Sequence, residues 1–281
     1  MDALPYRPTN RGRHTLSTRL VVIGYGAIAA ELIDRLCERK SASMDLAVLL
    51  KPDSKSANRI PAGVKLLTQI EDVIGFAPDL VIEAAGHQAI REYAEDCLKA
   101  GLSLVAVSVG AMADASLFSK LGSAAVEGGS RLIFPSGAIG SLDYVSAVRE
   151  LDDTQITYES RKPVSAWTNE LIAMGMDDQI SQPIVLYEGN AREAAIRYPQ
   201  NLNVAASLAI AGVGFERTNV RIVVDPAAKG NVHQIIATGS FGSLKTEIAN
   251  IPSPANPKTS WVVGLSLLAA IDRYFSPIVF G

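Results

Sequence analysis

Three small residues at fixed spacing, Gly24, Gly26 and Ala29, form the first pattern in the sequence that could bind a ligand. They follow the apolar run from Leu20 to Ile23 and open a segment of helical periodicity. The first glycine permits a tight turn, the second lets the backbone approach a pyrophosphate, and the third position needs only a small residue. A helix N-terminus also favours an anion. The pattern predicts a dinucleotide site, although a glycine-rich turn without a ligand would look the same.

The loop after the second predicted strand bears on which dinucleotide is bound. Sites selective for NAD often place Asp or Glu at this strand end to bond the ribose hydroxyls. Leu50 and Lys51 occupy that place here, and Asp53 comes later. Groups that could meet the 2′-phosphate of NADP are present instead: Lys51, Ser54, Lys55 and Arg59. We predict that Lys51 contacts the cofactor, and both NAD and NADP remain open, as does an ordinary solvated loop.

Histidines are the candidate acid–base groups, and the chain has three. His14 lies in the N-terminal tail, and His87 follows a predicted strand at the edge where ligands bind in parallel sheets. His233 stands among apolar neighbours in the second half, where either a structural or a catalytic role fits. No spacing of His, Cys and carboxylates indicates a metal site, and no G-x-S-x-G motif indicates a hydrolase.

The elements that must position these residues alternate between strand and helix in the first half. Apolar strands that alternate with helices indicate parallel βαβ units, and hence a Rossmann-type, doubly wound α/β fold. Helix signals include Asp114 as an N-cap and Gly101 as a stop. Strands are predicted at 19–24, 45–50, 64–68, 79–86, 102–110 and 130–137, and helices at 27–39, 69–76, 87–101 and 114–128.

The second half predicts an α+β domain with a mainly antiparallel sheet. Alternating or β-branched strands are expected at 154–163, 218–226 and 231–251, and an apolar helix is expected from Pro257 to Phe275. The predicted organisation is a tail at 1–18, a dinucleotide-binding domain at 19–140, a substrate and dimerisation domain at 141–255, and a C-terminal helix within 256–281 that packs back on the first domain.

Composition narrows the classes of function. The 281 residues carry a formal net charge of −3, which gives no reason to expect nucleic acid. No apolar run reaches the length of roughly 18 residues that a membrane span needs, and the first residues do not resemble a secretory signal. We therefore expect a cytoplasmic protein without a membrane partner. Cys37 and Cys97 are expected to be buried apolar residues rather than a disulfide or metal site.

Seven short segments in a fixed order resemble the L-aspartate dehydrogenase family. The resemblance covers residues 19 to 275 and is more specific than the glycine turn alone. The segments are "GYGAIA" (24–29), "SVGAMAD" (108–114), "PSGAIGSLD" (135–143), "RKP" (161–163), "YPQNLNVAASLA" (198–209), "NVHQI" (231–235) and "NPKTS" (256–260).

The resemblance implies an oxidoreductase that uses NAD or NADP to convert L-aspartate to iminosuccinate, and so to oxaloacetate and ammonia. The reaction is reversible as a reductive amination. The family's products can feed NAD biosynthesis, and its members are typically homodimers. Two other classes stay open: an oxidoreductase of the same scaffold acting on another small dicarboxylate, a semialdehyde or dihydrodipicolinate, and a dinucleotide sensor without turnover.

The resemblance also assigns roles to residues. Its catalytic histidine matches His233, and its cofactor contacts match Ala138 and Asn203, for which a plain N-cap role is the alternative. The carboxylates of aspartate need cationic or hydrogen-bond-donating partners. The candidates are Lys162, Lys258, Thr259 and Ser260, although both lysines could simply be solvated.

Overall fold

Within the described residues, six parallel strands form the first sheet. The computed structural model describes residues 17–39, 44–176, 180–198, 203–254 and 256–280, without the side chains of 256–258. The strands are β1 (Thr18–Ile23), β2 (Met44–Leu49), β3 (Lys65–Leu67), β4 (Leu80–Glu83), β5 (Leu104–Ala106) and β6 (Leu132–Ile133). Their order is β3-β2-β1-β4-β5-β6, so the direction of winding reverses beside β1. Ligands bind at such a switch point in open α/β sheets, and the predicted Rossmann-type fold is confirmed.

The helices that connect these strands are α1 (Ala27–Glu38), α2 (Ile70–Phe76), α3 (His87–Lys99) and α4 (Ala115–Gly128). Strands β1, β2, β4 and β5 are buried on both faces, which explains their continuous apolar sequences. Gly101 follows α3 with a φ of +79°, as predicted for a helix stop. The Asp114 carboxylate accepts hydrogen bonds from the N–H groups of Ser116 and Leu117, which confirms the predicted N-cap.

The second sheet has five described strands in the order β11-β10-β7-β9-β8. Among the described strands of this sheet, only β7 and β9 pair in parallel, so the sheet is mixed and mainly antiparallel, as predicted. Alternate residues of β7, from Ile156 through Tyr158 and Ser160 to Lys162, are buried. The elements are α5 (Leu142–Val148), β7 (Gln155–Lys162), α6 (Thr168–Ala173), β8 (Ile184–Asn190), α7 (Ala191–Arg197), α8 (Asn203–Ala211), β9 (Thr218–Val224), β10 (Asn231–Gly239) and β11 (Gly242–Asn250).

The chain ends with a short hairpin, β12 (Pro252–Ser253) and β13 (Asn256–Ser260), followed by α9 (Val262–Phe275). Helix α9 packs against α1. Its buried residues Leu267 and Ile271 belong to the same apolar cluster as Leu32 and Ile33 of α1. The last helix therefore lies on the first sheet's side of the molecule, while the exact domain limits stay a prediction.

Three expectations were wrong. The apolar helix does not start at Pro257, because Asn256–Ser260 forms β13 and the helix begins only at Val262. Strand β9 runs parallel to β7 and not antiparallel. Cys37, expected to be buried, is exposed near the end of α1, whereas Cys97 is buried. The predicted tail lies almost wholly outside the described residues, and no described helix is long and apolar enough to span a membrane.

Candidate functional site

The turn between β1 and α1 has room for a pyrophosphate. Gly24 has a φ of +95°, and a Cβ at this position would lie 2.6 Å from the Cβ of Ala85. Gly26 immediately precedes α1, where no described side chain caps the helix, and a Cβ there would point into open space. Ala29 is fully buried where α1 packs on the sheet. Because backbone N–H groups and space coincide beside Gly26, the turn fits a dinucleotide.

A cavity continues from this turn to the ends of β1 and β2. Gly24, Leu50, Lys51 and Asp53 all contribute to its lining. Leu50, the residue directly after β2, is apolar and buried, so the acid typical of NAD-selective sites does not occupy this position. The Lys51 ammonium lies 3.0 Å from the Glu92 carboxylate, and it is largely exposed. The predicted cofactor residue therefore borders the cavity, but it already has an anionic neighbour.

Arg59 from the same loop folds back over the glycine turn. Its guanidinium donates to the carbonyl of Tyr25 at 3.3 Å and to the hydroxyl of Ser56 at 2.8 Å. The guanidinium carbon also lies 5.8 Å from the centre of the Tyr25 ring. A positive charge consequently stands beside the turn that would hold the cofactor.

Glu83, at the end of β4, is a buried carboxylate that the sequence analysis did not single out. One of its oxygens accepts hydrogen bonds from the N–H groups of Ala85 at 2.8 Å and Gly86 at 2.7 Å, and from the hydroxyl of Ser108 at 2.8 Å. The other accepts from the Ser108 N–H at 3.1 Å. Glu83 thus joins two loops at the carboxyl edge of the sheet. In the sequence, Glu83 could have been found as an acid at the end of an apolar strand, because a buried charge needs hydrogen-bonding partners.

A second cavity, of about 140 Å³, is lined by residues from both halves of the chain. Ile28, between the small residues of the glycine turn, borders it from one side. The side chain of Lys258 lies outside the described part, and Gly24, Gly26 and Lys51 do not line this cavity. The predicted site residues that it brings together are Ala138, Lys162, Asn203, His233, Thr259 and Ser260.

His233 extends from the covered face of β10 into this cavity and is only 3% exposed. Its Nδ1 lies 2.7 Å from the hydroxyl oxygen of Tyr158. Its Nε2 is buried without a hydrogen-bond partner among the described residues. Burial, together with the positive charge of Lys162, lowers the pKa of His233 to about 4. The imidazole is therefore neutral near physiological pH.

Lys162, at the end of β7, is buried beside the same cavity. Its ammonium nitrogen lies 5.4 Å from the centre of the Trp167 ring. Burial lowers the pKa of Lys162 to about 8, and the negative charge of Glu170 opposes this change. The side chain is thus a cation at neutral pH, but one that titrates far below an ordinary lysine.

Asn203 begins α8 and fastens a loop of the first half. Its side-chain oxygen accepts a hydrogen bond from the N–H of Gly110 at 2.9 Å and lies 3.3 Å from Nε2 of His87. A Cβ on Gly110 would come within 3.0 Å of the same oxygen. Through these contacts Asn203 fixes the loop that carries Gly110. His87 contacts the Asn203 side chain but does not line the second cavity.

The remaining predicted residues meet where the hairpin before α9 reaches the second sheet. The Asn231 side chain donates to the hydroxyl of Ser260 at 3.1 Å, and both residues are buried. The Asn250 side chain donates to the carbonyl of Ala138 at 2.8 Å. Thr259 lines the cavity beside Ser260. No described group of three or more His, Cys, Asp or Glu side chains could hold a metal ion.

Two family models match the chain. The model described as "Aspartate dehydrogenase, C-terminal" matches residues 143–274, and "Homoserine dehydrogenase, NAD binding domain" matches residues 24–135. The second match supports a nicotinamide dinucleotide as the cofactor of the first half.

Similar proteins cover almost the whole chain. L-aspartate dehydrogenase 2 of Bordetella bronchiseptica is 46% identical over 95% of this chain and 100% of its own length. The L-aspartate dehydrogenase of Brucella anthropi is 38% identical over 92% and 97%. The crystal structure of aspartate dehydrogenase from Thermotoga maritima superimposes with a TM-score of 0.73 at 28% identity, covering 94% of this chain and 99% of that one.

The protein is accordingly an oxidoreductase with a Rossmann-type dinucleotide-binding unit. The chain belongs to the L-aspartate dehydrogenase family.

Proposed function

We propose that this protein oxidises L-aspartate with NAD or NADP to iminosuccinate, which water converts to oxaloacetate and ammonia. The relatives at 46% and 38% identity are L-aspartate dehydrogenases, which supports this substrate. The observation that carries the proposal is that Lys162 and His233 line one cavity as a buried cation and a buried neutral imidazole. An amino dicarboxylate needs both, a cation for a carboxylate and a proton acceptor for its ammonium group.

The cofactor would lie along the edge where the glycine turn and the two cavities meet. Gly24, Gly26 and Ala29 would hold its pyrophosphate and Lys51 its adenosine side. Ala138 and Asn203 border the second cavity and would hold the nicotinamide end. The bound oxidised nicotinamide supplies the hydride acceptor, and the protein residues supply orientation, charge and proton transfer.

His233 would accept the proton that the substrate ammonium must lose before oxidation. A neutral amine nitrogen has the lone pair that forms the C=N bond as hydride leaves the α-carbon. The Nε2 atom of His233 has no partner among the described residues, so it is suited to this role. The two negative charges of bound aspartate would raise the pKa of His233 towards neutrality. Once that proton has passed to solvent, the same nitrogen would accept a proton from the water that attacks the imine.

The substrate carboxylates would be bound by Lys162, Thr259 and Ser260. An ammonium buried in a cavity binds a carboxylate strongly, because little water competes for either charge. The hydroxyl of Ser260 is already oriented by Asn231 at 3.1 Å. Lys258 stays a fourth candidate from the sequence.

The reaction is tested by initial rates of cofactor reduction, followed by the ultraviolet absorbance of reduced nicotinamide. L-aspartate should support turnover with NAD, NADP or both, while D-aspartate, L-asparagine and L-glutamate should be poor substrates. A semialdehyde or dihydrodipicolinate that outperforms aspartate would replace the proposed substrate. Tight dinucleotide binding without turnover of any of them would favour a sensor.

Assembly and pathway are further parts of the proposal. We propose a homodimer formed by the second domain, because the family resemblance implies one. On β7 and β9 of that domain, the partly exposed side chains Glu159, Arg161 and Arg221 form an ion-pair network. Light scattering that gives a monomer's mass at micromolar concentration would contradict the homodimer.

The iminosuccinate produced could also feed NAD biosynthesis, which requires that iminosuccinate leave the enzyme before it is hydrolysed.

A further inference from the structure

A tyrosine hydroxyl that no residue assignment above uses lies directly behind the candidate base. Tyr158 is fully buried on the covered face of β7, and its oxygen lies 2.7 Å from Nδ1 of His233. The other ring nitrogen of His233, Nε2, belongs to a side chain that lines the cavity and has no partner in the described part of the chain. The two ring nitrogens therefore have different surroundings, one engaged by protein and one left for a ligand.

The chemistry of imidazole links these two surroundings. A neutral imidazole carries hydrogen on one nitrogen and a lone pair on the other. If Nε2 is to accept a proton, its lone pair must be vacant, so the hydrogen must be on Nδ1. The Nδ1–H then donates to the phenolic oxygen of Tyr158. A tyrosine that donated to Nδ1 instead would place the hydrogen on Nε2 and remove the base.

The direction of the bond depends on where the phenolic hydrogen points. Burial raises the pKa of Tyr158 well above its ordinary value, while the hydroxyl of Ser160 opposes that rise, so the phenol keeps its hydrogen. Ser160 is the next inward residue of β7 and lies directly opposite His233 across the strand pair. Its oxygen is buried and has no hydrogen-bond partner within the described ranges. It is thus placed to accept the phenolic hydrogen.

We propose that Tyr158 is a positioning residue that holds His233 with hydrogen on Nδ1, and that Ser160 fixes the direction of this contact by accepting the phenolic hydrogen. The inference rests on the proposed base role of His233. Hydrogen bonds then run in one direction, from the imidazole to Tyr158 and from Tyr158 to Ser160. Nε2 keeps its lone pair towards the cavity without any movement of the ring.

Two variants separate the parts of this chain. In Tyr158→Phe, Nδ1 loses its acceptor, so the hydrogen should shift to Nε2. In Ser160→Ala, the phenolic hydrogen loses its acceptor and should turn to Nδ1, which forces the same shift. Both variants should lower kcat by about ten- to a hundred-fold with little change in KM for aspartate, the effect expected from one lost hydrogen-bond partner in a buried site. Tyr187→Phe is the control, because that buried tyrosine donates to the carbonyl of Asn190 instead.

The position of the hydrogen can be read directly, without turnover. A two-bond proton–nitrogen correlation spectrum of protein labelled with heavy-nitrogen histidine distinguishes the two tautomers. The signal of His233 among the three histidines is identified by its loss in His233→Asn. We expect the Nδ1–H form in the wild type and in Tyr187→Phe, and the Nε2–H form in Ser160→Ala and Tyr158→Phe.

A wild type in the Nε2–H form would overturn the inference, and so would an unchanged tautomer in Ser160→Ala. The latter variant removes one oxygen from a buried serine, so it remains informative if Tyr158→Phe folds poorly. Failure of the proposed function gives a different result, namely no aspartate turnover by the wild type whatever its tautomer.

Discussion

At the scale of single residues, burial determines which proton carriers the cavity contains. His233 is buried on β10, and its Nε2 has no hydrogen-bond partner among the described residues. Burial lowers the pKa of His233, so the imidazole is a neutral base near physiological pH. We predict that His233→Asn lowers kcat by about 10²–10⁴-fold, which is typical for the loss of one positioned acid–base group. The Kd of this variant for reduced cofactor, measured by fluorescence titration, should stay within about twofold of the wild-type value.

Asn preserves polarity and approximates the size of the imidazole, so the fold should survive this change. His87→Asn controls for the loss of a histidine outside the second cavity. Because His87 contacts Asn203, the quantity compared is kcat at saturating cofactor. Wild-type turnover in His233→Asn would remove the catalytic assignment. Loss of cofactor affinity and thermal stability together would instead identify His233 as a structural residue.

Lys162 should determine how the enzyme responds to alkaline pH. Its ammonium is charged below a pKa of about 8 and neutral above it, so carboxylate binding should weaken as pH rises through that value. We predict that kcat/KM for aspartate in Lys162→Arg, relative to wild type, increases with pH across this range, since arginine keeps its charge. The titration of the substrate amine affects both proteins equally and cancels in the ratio.

The same residue should control KM. Lys162→Met removes the charge while keeping an unbranched apolar stem, and we expect KM for aspartate to rise about ten- to a hundred-fold, as for one charge-assisted hydrogen bond. A KM within twofold of wild type would show that Lys162 only packs against Trp167 and binds no substrate carboxylate.

Cofactor choice is also decided by a few side chains. We predict that NADP is used with kcat/KM at least comparable to that with NAD, because no acid ends β2 and Arg59 lies beside the turn. Leu50 is buried, so an acid is better introduced at exposed Lys51. Lys51→Asp should shift the NADP/NAD ratio of kcat/KM at least tenfold towards NAD, about 1.4 kcal/mol.

Lys65→Asp makes the same charge change outside the first cavity and should leave that ratio unchanged. Strong exclusion of NADP by the wild type would mean that Asp53, which lines the cavity, reaches the ribose instead. That result would refute the interpretation of this loop and leave the family unaffected.

At the scale of elements, the strand-to-helix turn separates a binding glycine from a folding glycine. Gly26 has open space where a side chain would point, so Gly26→Val should raise the Kd for reduced cofactor at least tenfold with little change in Tm. At Gly24 the conformation and the 2.6 Å approach to Ala85 predict that even Gly24→Ala lowers Tm. An unchanged Kd in Gly26→Val would show that the cofactor does not lie on this turn; Gly122→Val, on the exposed side of α4, is the control.

The sequence predicted those elements in which the hydrophobic periodicity and the residues at the element's ends indicate the same structure. The strand–turn–helix around Gly24, the stop at Gly101 and the cap at Asp114 were readable, since each rests on a local rule. Strand β8 was not predicted, although "IVLY" is rich in strand-forming residues. The helix start at Pro257 was wrong because β13 owes its conformation to pairing with β12, which local sequence does not reveal.

The candidate site was only partly predictable for the same reason. Motifs pointed to His233, Lys162 and Asn203, but the contacts that define their chemistry come from other elements. The Tyr158 hydroxyl reaches His233 across a strand pair, and Glu83 acts through loops that follow two different strands. Such contacts depend on register and topology, which a single sequence does not specify residue by residue.

At the scale of the whole molecule, the second cavity lies where helices and strands from both halves of the chain meet. Ile28 of α1, Lys162 of β7 and Val263 of α9 all line it. Because α9 packs against α1, the C-terminal segment brings Thr259 and Ser260 towards the dinucleotide turn. Ligands commonly bind at junctions of this kind, since each side contributes different polar groups.

The central claim is that hydride leaves the α-carbon of L-aspartate in this cavity, and isotope transfer tests it most directly. The enzyme is incubated with L-aspartate carrying deuterium on the α-carbon, and the reduced dinucleotide is isolated and weighed by mass spectrometry. We predict one deuterium per reduced cofactor, oxaloacetate in equal amount, and neither product from His233→Asn at comparable times. Reduced cofactor without deuterium, or no aspartate-dependent reduction by the wild type, would contradict the account.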